Sequence, residues 1–163
     1  MNAVLIGMPG CGKTAVGEEL KKLNIEVYDT DSEIVKAHGE ISEIFKNFGE
    51  EYFRELETRT VKDLSLKDGI VIATGGGLVL RAQNVELLKR SGKLIYLRTK
   101  LKTLLTRLSG DKSRPLISGD TETKLTYIFN ARTPVYSSCA DVVLDTDGCT
   151  PYELAQKITE YLI

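Results

Sequence analysis

Two rhythms of apolar and polar residues run through this chain. Short unbroken apolar runs, Ala3–Ile6, Ile70–Ala73 and Leu94–Leu97, have the length of strands buried on both faces. Two weaker runs, Glu26–Tyr28 and Asp141–Leu144, bring the expected strands to five. Between them, apolar residues recur at helical spacing. Val16, Leu20 and Leu23 mark the first helix. Helices are expected over 32–38 and over 41–48, the latter with Ile41, Ile44, Phe45 and Phe48 on one side. A longer one should cover 50–66, with Phe53, Leu56, Thr60, Val61 and Leu64 facing inward. Three more fall over 81–90 (ending at Gly92), 100–108 and 121–132. Thr150-Pro151-Tyr152-Glu153 opens a last helix: Thr150 can cap, Pro151 suits the first turn and Glu153 closes a capping box. Strands alternating with helices predict an α/β fold, a parallel sheet covered on both faces. Residues 109–120 break every periodicity and are long enough for a functional loop. No repeat, low-complexity tract or linker divides the chain, so one domain over 1–163 is expected.

The first strand runs into Gly7-Met8-Pro9-Gly10-Cys11-Gly12-Lys13-Thr14, a full match to the P-loop pattern G-x-x-x-x-G-K-[ST]. Strand, glycine loop, helix is the context that gives this string a mechanism. The glycines let successive N–H groups turn inward as an anion nest, and the helix N-terminus places its partial positive charge behind it. Gly10, Cys11, Gly12, Lys13, Thr14 and Ala15 are the expected nucleotide contacts. Lys13 can reach the β- and γ-phosphates, and the Thr14 hydroxyl can ligate Mg²⁺.

Composition narrows the reading. Apolar and charged fractions of 42% and 28% are those of an ordinary globular protein, and no apolar run approaches the length of a membrane span. The first strand starts too early to leave room for a leader peptide, and Cys11, Cys139 and Cys149 fit neither a disulfide framework nor a zinc site. A reducing cytoplasm is the expected location. The net charge of −1 argues against a nucleic-acid partner. Charge is uneven along the chain, positive over 98–114 and acidic over 40–57, and a locally positive site suits a small polyanion such as ATP.

Other candidates lie where strands end, the edge at which such sheets bind ligands. Asp29 could face the Thr14–Mg²⁺ site and Asp31 a second substrate; alternatively Asp31 or Thr30 caps the next helix. Gly75-Gly76-Gly77 implies a close approach of backbone to something. Arg54 and Glu57 share a helix face, and alone they would read as a surface salt bridge. Arg132 precedes Pro134, which should end or kink its helix. Arg114 sits in the irregular loop, and Arg107 just before it could stack on a base. The lone histidine, His38, reads as solvated. Cys11, beside Lys13 at a helix N-terminus, occupies an environment that activates thiols, so thiol reagents should inactivate and bound nucleotide should protect.

Taken together, Gly7–Thr14, Asp29-Thr30-Asp31, Phe53-Arg54-Glu55-Leu56-Glu57, Gly75–Gly77, Arg114-Pro115-Leu116 and Arg132-Thr133-Pro134-Val135-Tyr136 resemble the shikimate kinase family in order and spacing. The segment between the first helix and Asp29 looks one residue short, outside any matched motif. The resemblance implies a three-layer α/β/α sandwich on a five-stranded parallel sheet, with a substrate-binding helical segment over 31–60 and a lid over 109–121. It implies ATP-dependent phosphorylation of the shikimate 3-hydroxyl, a step toward chorismate and the aromatic amino acids, by a monomer using Mg²⁺. By the same resemblance Lys13, Asp31 and Arg114 are catalytic. Arg54, Arg132, Asp31 and Gly75, Gly76 and Gly77 bind shikimate, with Glu57 orienting Arg54 and glycine N–H groups meeting the ring hydroxyls. Thr14 and Asp29 serve the metal, and Arg107 stacks on adenine. The rival readings are another small-molecule P-loop kinase, for gluconate or a nucleotide, and a nucleotide-binding module without catalysis. Thr14 directly after Lys13 speaks against an adenylate-kinase-like site, and no guanine signature is present.

Overall fold

The computed structural model describes residues 1–109 and 120–162. Its elements are β1 (Asn2–Ile6), α1 (Lys13–Lys22), β2 (Val27–Asp29), α2 (Thr30–His38), α3 (Ile41–Phe48), α4 (Glu50–Ser65), β3 (Val71–Ala73), α5 (Ala82–Ser91), β4 (Gly92–Arg98), α6 (Leu101–Ser109), α7 (Thr121–Cys139), β5 (Val142–Asp145) and α8 (Pro151–Thr159). One 3₁₀ turn, Leu78–Leu80, follows β3 and has no counterpart in the expected elements. The five strands form a parallel sheet in the order β2-β3-β1-β4-β5. β1 lies between two strands and under helices, so all five of its residues are buried, as its unbroken apolar run requires.

Register decides what meets at the sheet's edge. Leu5 and Asp29 both lie opposite Ala73. The chain leaving β1, β2 and β3 therefore emerges side by side: the glycine loop, Thr30-Asp31 and Thr74-Gly75. Gly92 opens β4 opposite Asn2, where a Cβ would stand 1.9 Å from the Asn2 carbonyl oxygen. This glycine stops α5 and also lets two strands approach closely.

Two expectations need correcting. α7 does not end near residue 132 but continues through Pro134 to Cys139. An interior proline costs about 3 kcal/mol or more, and burial of Tyr136 and Cys139 in the main core offsets it. As a result Arg132 and Tyr136 share one helix face. In α3, Ile44 is fully buried, whereas Phe45 and Phe48 reach solvent. Ile34, Ile44, Phe53 and Leu56 build a small second core under α2, α3 and α4, separate from the main one. α4 also buries two polar residues, Glu57 and Thr58, that the apolar pattern passed over, while Thr60 is half-buried. The capping box of α8 forms as expected: Glu153 N–H donates to Thr150 Oγ1 at 3.1 Å, and Thr150 N–H to Glu153 Oε2 at 2.9 Å. Among the described residues no helix is long and apolar enough to cross a membrane.

Candidate active site

The loop between β1 and α1 is shaped by Gly7, Gly10 and Gly12, all at positive φ. Gly7 has no room for a side chain, since a Cβ would lie 2.9 Å from the Leu97 carbonyl oxygen. Gly12 occupies the N-cap position of α1, and no side chain caps the helix. The first amides of α1 are thus left for an anion, backed by the helix dipole. Lys13 Nζ donates to the Gly7 and Met8 carbonyl oxygens at 2.5 and 3.3 Å. It is held across the loop it would serve. A cleft of about 530 Å³ begins here, with Gly10, Cys11, Gly12, Lys13, Thr14 and Ala15 in its wall. It extends to Asp29, Asp31, Gly75 and Gly76 on one side and to Arg107, Thr146, Cys149 and Leu154 on the other.

The two aspartates divide their work differently from the capping alternative. Asp29 is itself the N-cap of α2, with Oδ1 accepting from Ser32 N–H at 2.9 Å. Thr30 is buried and accepts a hydrogen bond from Gly75 N–H at 2.9 Å, stitching β2 to the glycine triplet. Asp31 is left to the cleft. Its Oδ1 is buried and has no hydrogen-bond partner. Burial, and then the Asp29 charge, hold the Asp31 carboxyl above its ordinary value, against the pull of Lys13 and Arg54.

The glycine triplet is a template for three side chains. A Cβ on Gly75 would stand 2.7 Å from Asp31 Oδ1, on Gly76 2.9 Å from Arg132 Nη1, and on Gly77 2.8 Å from both terminal nitrogens of Arg54. Three consecutive positions each forgo a side chain where one of these groups lies. The amide of Gly75 is already engaged by Thr30, which removes it from the N–H groups expected to meet substrate.

Arg54 and Glu57 pair as their spacing predicts, Nη1 donating to Oε1 at 2.7 Å, but this is no surface bridge. Glu57 is 1% exposed. Burial pushes its carboxyl up, and Arg54 offsets part of that rise. Burial works against the Arg54 charge too, but the hydrogen bonds to Glu57 and Glu50 outweigh it and raise its pKa. The guanidinium is thereby fixed with its charge on. Behind it, Thr58 Oγ1 bonds Asn84 Oδ1 at 2.8 Å, and Asn84 Nδ2 donates to the Leu78 carbonyl, tying α4 to the turn after the triplet.

Arg107, expected to stack on a base, donates from Nη1 to the Gly10 carbonyl at 2.8 Å. It braces the glycine loop from the end of the cleft lined by Thr146, Cys149 and Leu154. Arg114 and the rest of 110–119 lie outside the described residues. His38 is exposed, as expected. Tyr136, quoted in a motif yet given no role by sequence, is fully buried and donates to the Gly76 carbonyl at 2.5 Å. Its signal was its place four residues after Arg132.

Cys11 is 1% exposed and closed in by the loop, which removes the basis for rapid modification. Cys149 lines the same cleft and is half-buried. A thiol reagent is therefore expected to label Cys149 first, with ATP slowing it. Mass spectrometry of a time course would show this, and earlier labelling of Cys11 would contradict it.

Comparison with known proteins agrees with this geometry. The shikimate kinase family model matches residues 9–163. The shikimate kinase of Caldicellulosiruptor bescii is 42% identical over 96% of this chain and 92% of its own length. That of Thermodesulfovibrio yellowstonii is 44% identical over the same shares. Among solved structures, the shikimate kinase of Acinetobacter baumannii in complex with shikimate superimposes with a TM-score of 0.88 at 38% identity, covering 98% of this chain and 90% of its own. A P-loop cleft, a buried carboxylate and two arginines on a glycine triplet, carried by a chain matched along nearly its whole length, leave one conclusion: the chain belongs to the shikimate kinase family, whose reaction is the ATP-dependent phosphorylation of shikimate.

Proposed function

We propose that this chain phosphorylates the shikimate 3-hydroxyl at the edge of the sheet where Asp31, Arg54 and Arg132 converge on Gly75–Gly77. That convergence carries the reading. Arg54 and Arg132 together offer two planar guanidinium forks, the donors suited to a carboxylate. Asp31, poor in partners and rich in neighbouring cations, orients the attacking hydroxyl and takes its proton. Phosphoryl transfer passes through a loose transition state, so positioning and charge neutralisation matter more than covalent chemistry. Lys13 exchanges its loop carbonyls for the β- and γ-phosphates, and the free amides of α1 hold the same oxygens. Arg107 keeps the loop in shape from behind the nucleotide, and Arg114 adds positive charge from the lid.

The donor set fits Mg²⁺. No cluster of three or more His, Cys, Asp or Glu occurs among the described residues, and Mg²⁺ needs none, being held by one or two protein oxygens, waters and substrate phosphates. Thr14 and Asp29 both line the cleft, and Asp29 has one carboxylate oxygen free of the cap. Mg²⁺ held there would neutralise phosphate charge during transfer. Residues 31–60 form the substrate-binding segment, around their own small core, and 109–121 the lid, within one kinase domain. A monomer is the proposed working state.

The test is ADP release measured across a panel of acceptors. Release that depends on shikimate, and not on gluconate or a nucleoside monophosphate, is the expected result. Equal release with gluconate would overturn the substrate assignment, and no release with any acceptor would favour a non-catalytic module.

A further inference from the structure

We infer that Tyr136 is a positioning residue that sets shikimate affinity, by locking Arg132 and the glycine triplet into one rigid unit. The inference rests on the proposal that Arg132 grips the substrate carboxylate.

Tyr136 is an unusual group to find in the middle of a core. It is fully buried, with its ring against Tyr96 at a centroid distance of 5.3 Å. A buried phenol needs a partner for its hydroxyl. Here the hydroxyl donates to the carbonyl of Gly76, the central residue of the triplet. The Arg132 guanidinium stands close enough to bias the phenol by charge and by hydrogen bonding. Burial nevertheless dominates and holds the phenol pKa well above its ordinary value, so the hydroxyl stays a proton donor.

Arg132 is constrained from the other side as well. The space above Gly76 into which a side chain would point is taken by Arg132 Nη1 and by Pro9 of the phosphate loop, 2.9 and 3.0 Å from where a Cβ would lie. The guanidinium and Pro9 thus both lie against the central glycine of the triplet. Only α7 carries both Arg132 and Tyr136, and it does so because the helix continues past Pro134. One turn of helix thus presents the guanidinium and also anchors the peptide it lies against. Without the anchor, the Gly76 carbonyl loses its partner and the triplet can move relative to Arg132. Because each guanidinium must meet the carboxylate in a fixed orientation, a small displacement reduces binding. The arrangement meets the phosphate loop at Pro9, and neither Arg132 nor Tyr136 lines the cleft beside Gly10–Ala15, so the KM for ATP should move much less than that for shikimate.

The test is a double-mutant cycle on the full chain with Tyr136→Phe and Arg132→Ala. Phenylalanine keeps the ring and its packing and removes only the hydroxyl. Tyr136→Phe is expected to raise the KM for shikimate about tenfold, the scale of one lost polar contact. The KM for ATP should stay within twofold. In the Arg132→Ala background the same change should add less than twofold, because the tyrosine acts through the arginine. Multiplicative effects would overturn the inference and mark a general structural role, as would an unchanged shikimate KM in Tyr136→Phe. If Arg132→Ala alone leaves shikimate KM intact, the carboxylate assignment fails instead. Should Tyr136→Phe not fold, 3-fluorotyrosine placed at 136 retains the ring and makes the hydroxyl more acidic, with one fluorine added beside it. A shikimate dissociation constant shifted twofold or more, with nucleotide affinity unchanged, then supports the inference, and no shift overturns it.

Discussion

Arg54→Ala is expected to raise the KM for shikimate by roughly 10²- to 10³-fold while leaving the KM for ATP nearly unchanged. Truncating one partner of a desolvated, hydrogen-bonded charge pair costs about 2–5 kcal/mol, and Arg54 is such a partner twice over: to the proposed substrate carboxylate and to Glu57. The second loss gives the variant a signature in stability. With the guanidinium gone, Glu57, buried in the parent at 1% exposure, has lost the cation that offset its burial, so its carboxyl is pushed further up. A carboxyl raised in the folded state is best tolerated protonated. Its contribution is fully present below the unfolded value and is lost as pH rises through the folded one. The deficit in unfolding free energy of Arg54→Ala should therefore widen from acidic to neutral pH, and a further Glu57→Gln change should remove that widening. Steady-state kinetics with each substrate varied, and denaturant titrations at several pH values, would check both parts. A shikimate KM within threefold of the parent would sink the assignment of Arg54.

Asp31→Asn is expected to lower turnover by about 10²- to 10⁴-fold, the usual range for losing a positioned general base. Asparagine keeps the size and a hydrogen-bonding oxygen, so shikimate should still bind and the loss should fall mainly on kcat. The pH profile separates a base from a mere ligand. Burial and Asp29 hold the Asp31 carboxyl above its ordinary value. Because the base must be ionised, kcat/KM should fall as pH drops through that raised value. This acid limb should sit above the ordinary carboxylate range and vanish in Asp31→Asn. A variant that keeps more than a tenth of the parent's turnover, or that keeps the same acid limb, would show that the proton leaves by another route.

Much of the molecule can be read from local pattern. The unbroken apolar runs are strands because such runs suit a position buried on both faces, and β1, β3 and the Leu94–Leu97 stretch of β4 lie where that burial is complete. The capping box of α8 follows from two side chains and three residues of spacing. The Arg54–Glu57 pair likewise needs only helix geometry. The failures are where distant atoms compete with local preference. Pro134 should end or kink its helix, and the expected end near 132 does not occur, because core contacts made by Tyr136 and Cys139 outweigh one missing backbone hydrogen bond. Cys11 promised reactivity from its neighbours in sequence, and its burial removes access. Glu57 and Thr58 interrupt an apolar face, and only their partners, Arg54 and Asn84, explain why they are inside.

By itself the sequence determined the phosphate loop, the alternation of strands and helices, and the set of residues proposed to transfer a phosphoryl group, since all of these rest on side-chain type and short-range spacing. Only the tertiary structure decided that Gly75, Gly76 and Gly77 each make room for a different functional side chain, that Asp29 rather than its neighbours caps α2, and that Tyr136 belongs to the site. The physical reason is register: parallel pairing brings the ends of β1, β2 and β3 to one edge, and contacts made there join residues about twenty to sixty positions apart, whose meeting no local periodicity encodes.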